Sequence, residues 1–124
     1  MRQVLRAAIG LAGVLGVLVA ARLWLAPAET ASQLGLGPTG PLGLATLRAD
    51  MGGFFAAGGV LALIAAVRGR GDLLVPPLLL IGLALAGRVF TIVVNGYSAD
   101  MAPPIAIEAG LVMLLCAGWR VLDR

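Results

Sequence analysis

Arg22, Arg48, Asp50, Arg88 and Glu108 stand inside the long apolar stretches of a 124-residue chain. A charge placed in hydrocarbon has to find a partner or line a polar cavity, so intramembrane ionisable residues mark functional sites as a class. Arginine presents a planar fork matched to carboxylate or phosphate. Two or three of them beside two carboxylates would hold an anionic head group while apolar helices hold its tail. A lipid, quinone, isoprenoid or sterol-like ligand suits such a site. A carboxylate in low dielectric can also move protons, as in an intramembrane isomerase, with Asp50 or Glu108 as the acid or base. A neighbouring Arg88 would instead make either carboxylate a counter-ion, and ion pairs that only fix helix register are the plainer alternative.

Position around the helix narrows the set. Arg88, Thr91 and Asn95 follow i, i+3, i+7 spacing, so one face presents a guanidinium, a hydroxyl and an amide. Arg48 and Asp50, two residues apart, point in different directions. Asp50 is the candidate for the interior, while Arg48 is placed to snorkel or to meet Glu108 or Asp100 from the side. Arg22 and Tyr97 belong to the periphery. The polar cluster read from the sequence is therefore Arg48, Asp50, Arg88, Thr91, Asn95 and Glu108.

The elements that must position these residues are four apolar stretches, at about 4–25, 42–67, 73–94 and 105–121. Each is close to the ~20 residues that span a bilayer. Mean hydropathy is +1.04 and 60% of residues are apolar, which leaves no chain for a soluble domain and sets aside a soluble helical bundle. The fold class expected is an all-α integral membrane protein, one four-helix bundle over 1–124. Helices are required because lipid offers no water to the backbone, and the stretches lack the alternation of barrel strands. An Arg-flanked first stretch followed by Ala26-Pro27-Ala28 has some features of a signal peptide. The run is longer than the usual apolar core of ~7–15 residues and carries Arg22 and Trp24, so a retained helix is expected.

Orientation rests on arginine, since the chain has no lysine and no histidine. Arg2, Arg6, Arg68, Arg70, Arg120 and Arg124 flank three regions that the positive-inside rule assigns to the cytoplasm, with both termini inside. The connections 26–41 and 95–104 carry Glu29 and Asp100 but no arginine and are expected outside. At ~1.5 Å rise per residue, Arg88 then lies on the order of 8 Å from the outer edge, Asp50 and Arg48 roughly 12 and 9 Å down, and Glu108 about 5 Å down. All converge on the outer half of the bundle.

Small residues at four-residue steps, Ala45, Ala49, Gly53 and Ala57, with Gly52, Gly58 and Gly59 nearby, predict close helix packing. Gly10, Gly13 and Gly16, Gly82 and Ala86, and Ala106 and Gly110 predict the same on the other helices. The connection 27–41, with its Gly35-Leu36-Gly37-Pro38 core, is long enough to form a lid, and Glu29, Thr30, Ser32 and Gln33 suit a helix start. Pro76-Pro77 and Pro103-Pro104 suit the first turn of a helix. Trp24, Trp119 and Tyr97 fall at helix ends, where an interfacial aromatic belt accounts for them.

Arg48-Ala49-Asp50-Met51-Gly52-Gly53-Phe54, Gly87-Arg88 followed by Asn95-Gly96, and Glu108 in the last stretch together resemble a family of small bacterial four-helix membrane proteins classed only as a domain of unknown function. The likeness runs from the second stretch to the fourth. It implies the fold and a bacterial inner-membrane location, and brings no activity. Thr91 stands where that family tends to have a serine, and Asn95 where it has an acid, so one possible carboxylate is missing.

Several functions are set aside. With no histidine and one cysteine, Cys116, there is no disulfide, no Cys/His zinc site and no histidine-ligated haem, so neither metal nor cofactor is implied. The arginines sit at helix ends without a basic stripe, against nucleic-acid binding. Arg70-Gly71-Asp72 is a charged turn rather than an adhesion tripeptide. The partners expected are a membrane lipid or a small amphipathic ligand, with an accessory role to another membrane protein, or self-association, as the alternative. A dimeric small transporter would want a cationic-substrate site, which several arginines oppose.

Overall fold

Two glycines set the architecture. A Cβ added at Gly13 would lie 2.8 Å from the Gly59 carbonyl oxygen, and one added at Gly59 would lie 2.7 Å from the Gly13 carbonyl oxygen. The two backbones are therefore in direct contact, the close approach that facing small residues permit. The helices that cross there are α1, Arg2–Leu25, and α4, Gly52–Arg68. The computed structural model describes all residues 1–124 and contains no strand.

Between α1 and α4 lie α2, Pro27–Gln33, and α3, Gly40–Thr46, which runs into α4 through a π-helical turn, Leu47–Met51. Beyond α4, a 3-10 turn at Asp72–Leu74 leads into α5, Val75–Asn95, and another at Ala99–Met101 into α6, Ala102–Leu122. Four continuous helical rods result, Arg2–Leu25, Gly40–Arg68, Asp72–Asn95 and Ala99–Leu122, each long and apolar enough to cross a membrane. Their limits fall within a few residues of those read from hydropathy, except that the last begins earlier. Pro103 and Pro104 sit in its first turn, where a missing N–H costs nothing.

Helix stops follow local chemistry. Gly69, at φ +65°, takes the left-handed conformation that ends α4, and the Arg70 N–H bonds back to the Ala65 carbonyl at 3.1 Å. Arg6 fills two more of the open carbonyls there, donating from Nε to Ala66 O at 2.6 Å and from Nη2 to Val67 O at 2.7 Å. Arg2 Nη2 bridges Gly69 O and Leu122 O, at 3.3 Å each. Cations at helix C-termini also complement the macrodipole. Both chain termini thus lie at one end of the bundle, which we call the termini end.

The buried core sits at this end. Ile9, Ala62, Ala65, Ala66, Leu74, Leu115 and Leu122 form one apolar cluster, and Gly118 lets Ile9 and Leu74 close over α6. The α1–α4 contact uses Gly13 and Ala20 on one helix and Gly52, Gly59 and Ala66 on the other, all buried and spaced by seven residues. The stripe read from the sequence, Ala45, Ala49, Gly53 and Ala57, is exposed instead. Steps of four drift around a helix of 3.6 residues per turn, whereas steps of seven stay on one side. Gly82 and Gly110 likewise meet no neighbouring atom. Toward the opposite end α1–α4 and α5–α6 remain two pairs with a cleft between them.

Candidate functional site

Arg88 on α5 donates from Nε to Glu108 Oε2 on α6, at 2.8 Å. This is the ion pair that joins two of the long helices; the other in the molecule, Arg70 with Asp72, lies within a surface turn. Helices α5 and α6 run antiparallel, so residues on either side of the 96–101 connection meet at equal height. By helical rise Arg88 lies about 10 Å from Asn95, and Glu108 about 9 Å from Ala102. The Glu108 side chain is 17% exposed and that of Arg88 40%. One partner is fixed by packing and the other reaches toward the open side.

The pair closes one end of the cleft. This cavity, about 370 Å³, takes walls from all four long helices, with Gly16, Phe55, Gly58, Ile81 and Leu111 among its lining, and Leu34 at the end of α2 beside its mouth. Arg88 and Glu108 are its only ionisable residues. From Pro77 at the inner limit to Arg88 the cleft runs about 17 Å along α5. Gly58 faces Pro77 at that inner limit, where an added Cβ would stand in ordinary contact, 3.8 Å from the Pro77 Cβ. Phe54 and Phe55 meet edge to face, with ring centroids 5.2 Å apart, and make a rigid wall on the α4 side.

The other residues singled out in the sequence do not join this pair. Arg48 donates from Nε to Trp24 O at 2.9 Å, and Trp24 Nε1 donates to Arg48 O at 3.1 Å, so Arg48 fastens the π-helical turn to the end of α1. Asp50 is exposed on the same turn and has neither an ion pair nor a side-chain hydrogen bond. Of the pairings open to two arginines and two carboxylates, Arg88–Glu108 forms while Asp50–Arg88, Arg48–Glu108 and Arg48–Asp50 do not, and the single buried cluster of Arg48, Asp50, Arg88 and Glu108 is replaced by one ion pair and one helix clasp.

The reason is azimuth rather than depth. A π-helical turn closes i→i+5 and holds more residues per turn than an α-helix. Across it Arg48 reaches the end of α1, and Asp50, expected in the interior, is turned out of the cleft and exposed. Thr91 spends its hydroxyl on the Gly87 carbonyl of its own helix, at 2.9 Å. Thr91 and Asn95 continue the Arg88 face beyond the cleft walls, where both are exposed. Arg22 is exposed and its carbonyl accepts a hydrogen bond from Thr30 Oγ1 at 3.2 Å, while Tyr97 is 61% exposed. The 27–41 connection holds α2 against α1 through buried Thr30 and Ala31 and sends Leu34 to the cleft.

The cleft lining itself was not singled out in the sequence. Its signal was the adjacency of two aromatics to two glycines, Phe54-Phe55 and Gly58-Gly59, which makes one wall bulky and the next one bare. The arrangement supplies a dry apolar slot with a cationic edge and an anionic edge at one end. That is the layout of an amphiphile site, and its volume lies at the small end of the ~300–1,000 Å³ typical of ligand pockets. Comparisons of the chain with family models, with curated proteins and with solved structures find no match.

Proposed function

We propose that this chain is a multi-pass protein of the bacterial inner membrane, with both termini in the cytoplasm, akin to the small four-helix family that its sequence resembles, and that it binds a lipid-like amphiphile. The tail lies between the helix pairs and the anionic part of the head group meets Arg88. One observation carries the reading: an apolar cleft of about 370 Å³ that ends at the Arg88–Glu108 pair. A packing device alone has no use for the slot, because voids forfeit dispersion contacts along their walls. Binding is favoured over proton-transfer chemistry or transport, since Asp50 lies away from the cleft and Glu108 has no second acid or base beside it.

Filling the slot tests this. Native mass spectrometry of protein extracted from its own membrane is expected to find a stoichiometric amphiphile on the wild type and none on Gly58→Leu, whose side chain would occupy the cleft. A wild type that retains no amphiphile overturns the reading.

The exposed face of Ala45, Ala49, Gly53 and Ala57 favours a second reading, an accessory or assembly subunit of a larger membrane complex, because small residues let a partner helix approach closely. A membrane protein recovered in fixed stoichiometry, with the cleft empty, would decide for it.

A further inference from the structure

The Arg88–Glu108 pair is only half engaged. Nε of Arg88 and Oε2 of Glu108 hold each other, while both Nη groups of Arg88 and Oε1 of Glu108 make no hydrogen bond within the protein. None of these atoms is buried without a partner, so each keeps accessible surface at the end of the cleft that the two residues line. The site therefore offers two strong donors and one strong acceptor side by side, in a fixed order along the direction from α5 to α6. We infer that the head group this cleft selects is zwitterionic: an anionic group that accepts from the Arg88 guanidinium, and next to it a primary ammonium that donates to Glu108.

The inference rests on the cleft being an amphiphile site and specifies which amphiphile it holds. Net charge opposes a purely anionic head. Asp50 and Arg48 lie elsewhere, so the charges at the cleft sum to zero. An anion about 4 Å from the guanidinium and about 7 Å from the carboxylate feels opposed Coulomb terms in a ratio of roughly 7 to 4, and loses more than half of its attraction. A purely anionic head is thus a poor match. A zwitterion placed with its charges in register gains from both edges and leaves no polar atom of the pair unmet.

An acyl tail in the bilayer is already in an apolar medium, so moving it into the cleft brings no hydrophobic gain, only closer packing. Preference among lipids that share the same tails must come from the head. The acceptor on Glu108 is met best by a charged donor: a phosphoethanolamine head has N–H groups on a cation, a phosphocholine head, fully methylated, has no donor, and a phosphoglycerol head offers only neutral hydroxyls.

The test uses the whole protein in detergent, offered equimolar phosphatidylethanolamine, phosphatidylcholine and phosphatidylglycerol with identical tails, with bound lipid counted by native mass spectrometry. Wild type is expected to retain phosphatidylethanolamine about tenfold over either competitor, the discrimination that one hydrogen bond to a charged acceptor provides. Glu108→Gln keeps an oxygen for Arg88 Nε and leaves the cleft walls intact, but makes the site cationic; its ranking is expected to shift to phosphatidylglycerol. Wild type that holds phosphatidylglycerol as well as phosphatidylethanolamine, or a variant with an unchanged ranking, overturns the zwitterion; wild type that holds phosphatidylcholine as well as phosphatidylethanolamine overturns the ammonium bond to Glu108; each leaves the cleft reading standing. Wild type that holds none of the three lipids, nor any lipid from its own membrane, overturns both.

Discussion

Gly13 and Gly59 face each other with no side chain between them, so that each would push its Cβ into the carbonyl oxygen of the other. Six residues before Gly59, Gly53 faces open space. The same substitution should therefore have opposite signs at two glycines of one helix. Gly59→Ala forces the α1 and α4 backbones apart and is expected to destabilise by about 1–3 kcal/mol, the usual range for overpacking. Gly53→Ala only improves helix propensity and is expected to be neutral or stabilising by up to about 1 kcal/mol. Thermal unfolding in one detergent, monitored by helical circular dichroism, checks both, and equal shifts would contradict the packing described.

Arg88 and Glu108 lend themselves to a double-mutant cycle. Removing one partner leaves the other charged in an apolar wall, and for a fully buried pair that costs about 3–5 kcal/mol. Arg88 is partly exposed, so solvent moderates the loss, and about 1–3 kcal/mol is expected for Arg88→Leu. Arg88→Leu combined with Glu108→Leu removes both charges and should recover part of that stability. A double variant whose loss equals the sum of the two single ones would show the residues to be uncoupled.

The four rods were legible because hydropathy and proline placement are local properties. That Arg88 and Glu108 meet at a common height was legible too, since rise per residue is nearly constant. What the sequence did not show was azimuth. The turn at Leu47–Met51 is π-helical, and no composition rule for that turn separates it from a regular one; its extra residue per turn is what carries Arg48 to Trp24 and turns Asp50 outward. Nor did the four-residue stripe reveal that α1 would choose the seven-residue face of Gly52, Gly59 and Ala66, because both faces of α4 are built from small residues. The cleft depended on both of these choices, and so was hidden until the helices were placed.

Topology can be tested at two points of the chain. Six of the nine arginines, Arg2, Arg6, Arg68, Arg70, Arg120 and Arg124, gather at the termini end, and Arg2 and Arg6 are tied there by bonds to the last carbonyls of α4 and α6. On the proposed topology, which follows that asymmetry, this end faces the cytoplasm and the mouth of the cleft, with Leu34 and the Arg88–Glu108 pair, faces the periplasmic leaflet. In a Cys116→Ser background, Ser32→Cys on the exposed face of α2 is expected to react with a membrane-impermeant maleimide once the outer membrane is permeabilised, and Arg124→Cys only after the inner membrane is broken. The reverse order of labelling would turn the bundle over. The head group would then be drawn from the cytoplasmic leaflet, while the cleft and its ion pair would keep the same geometry.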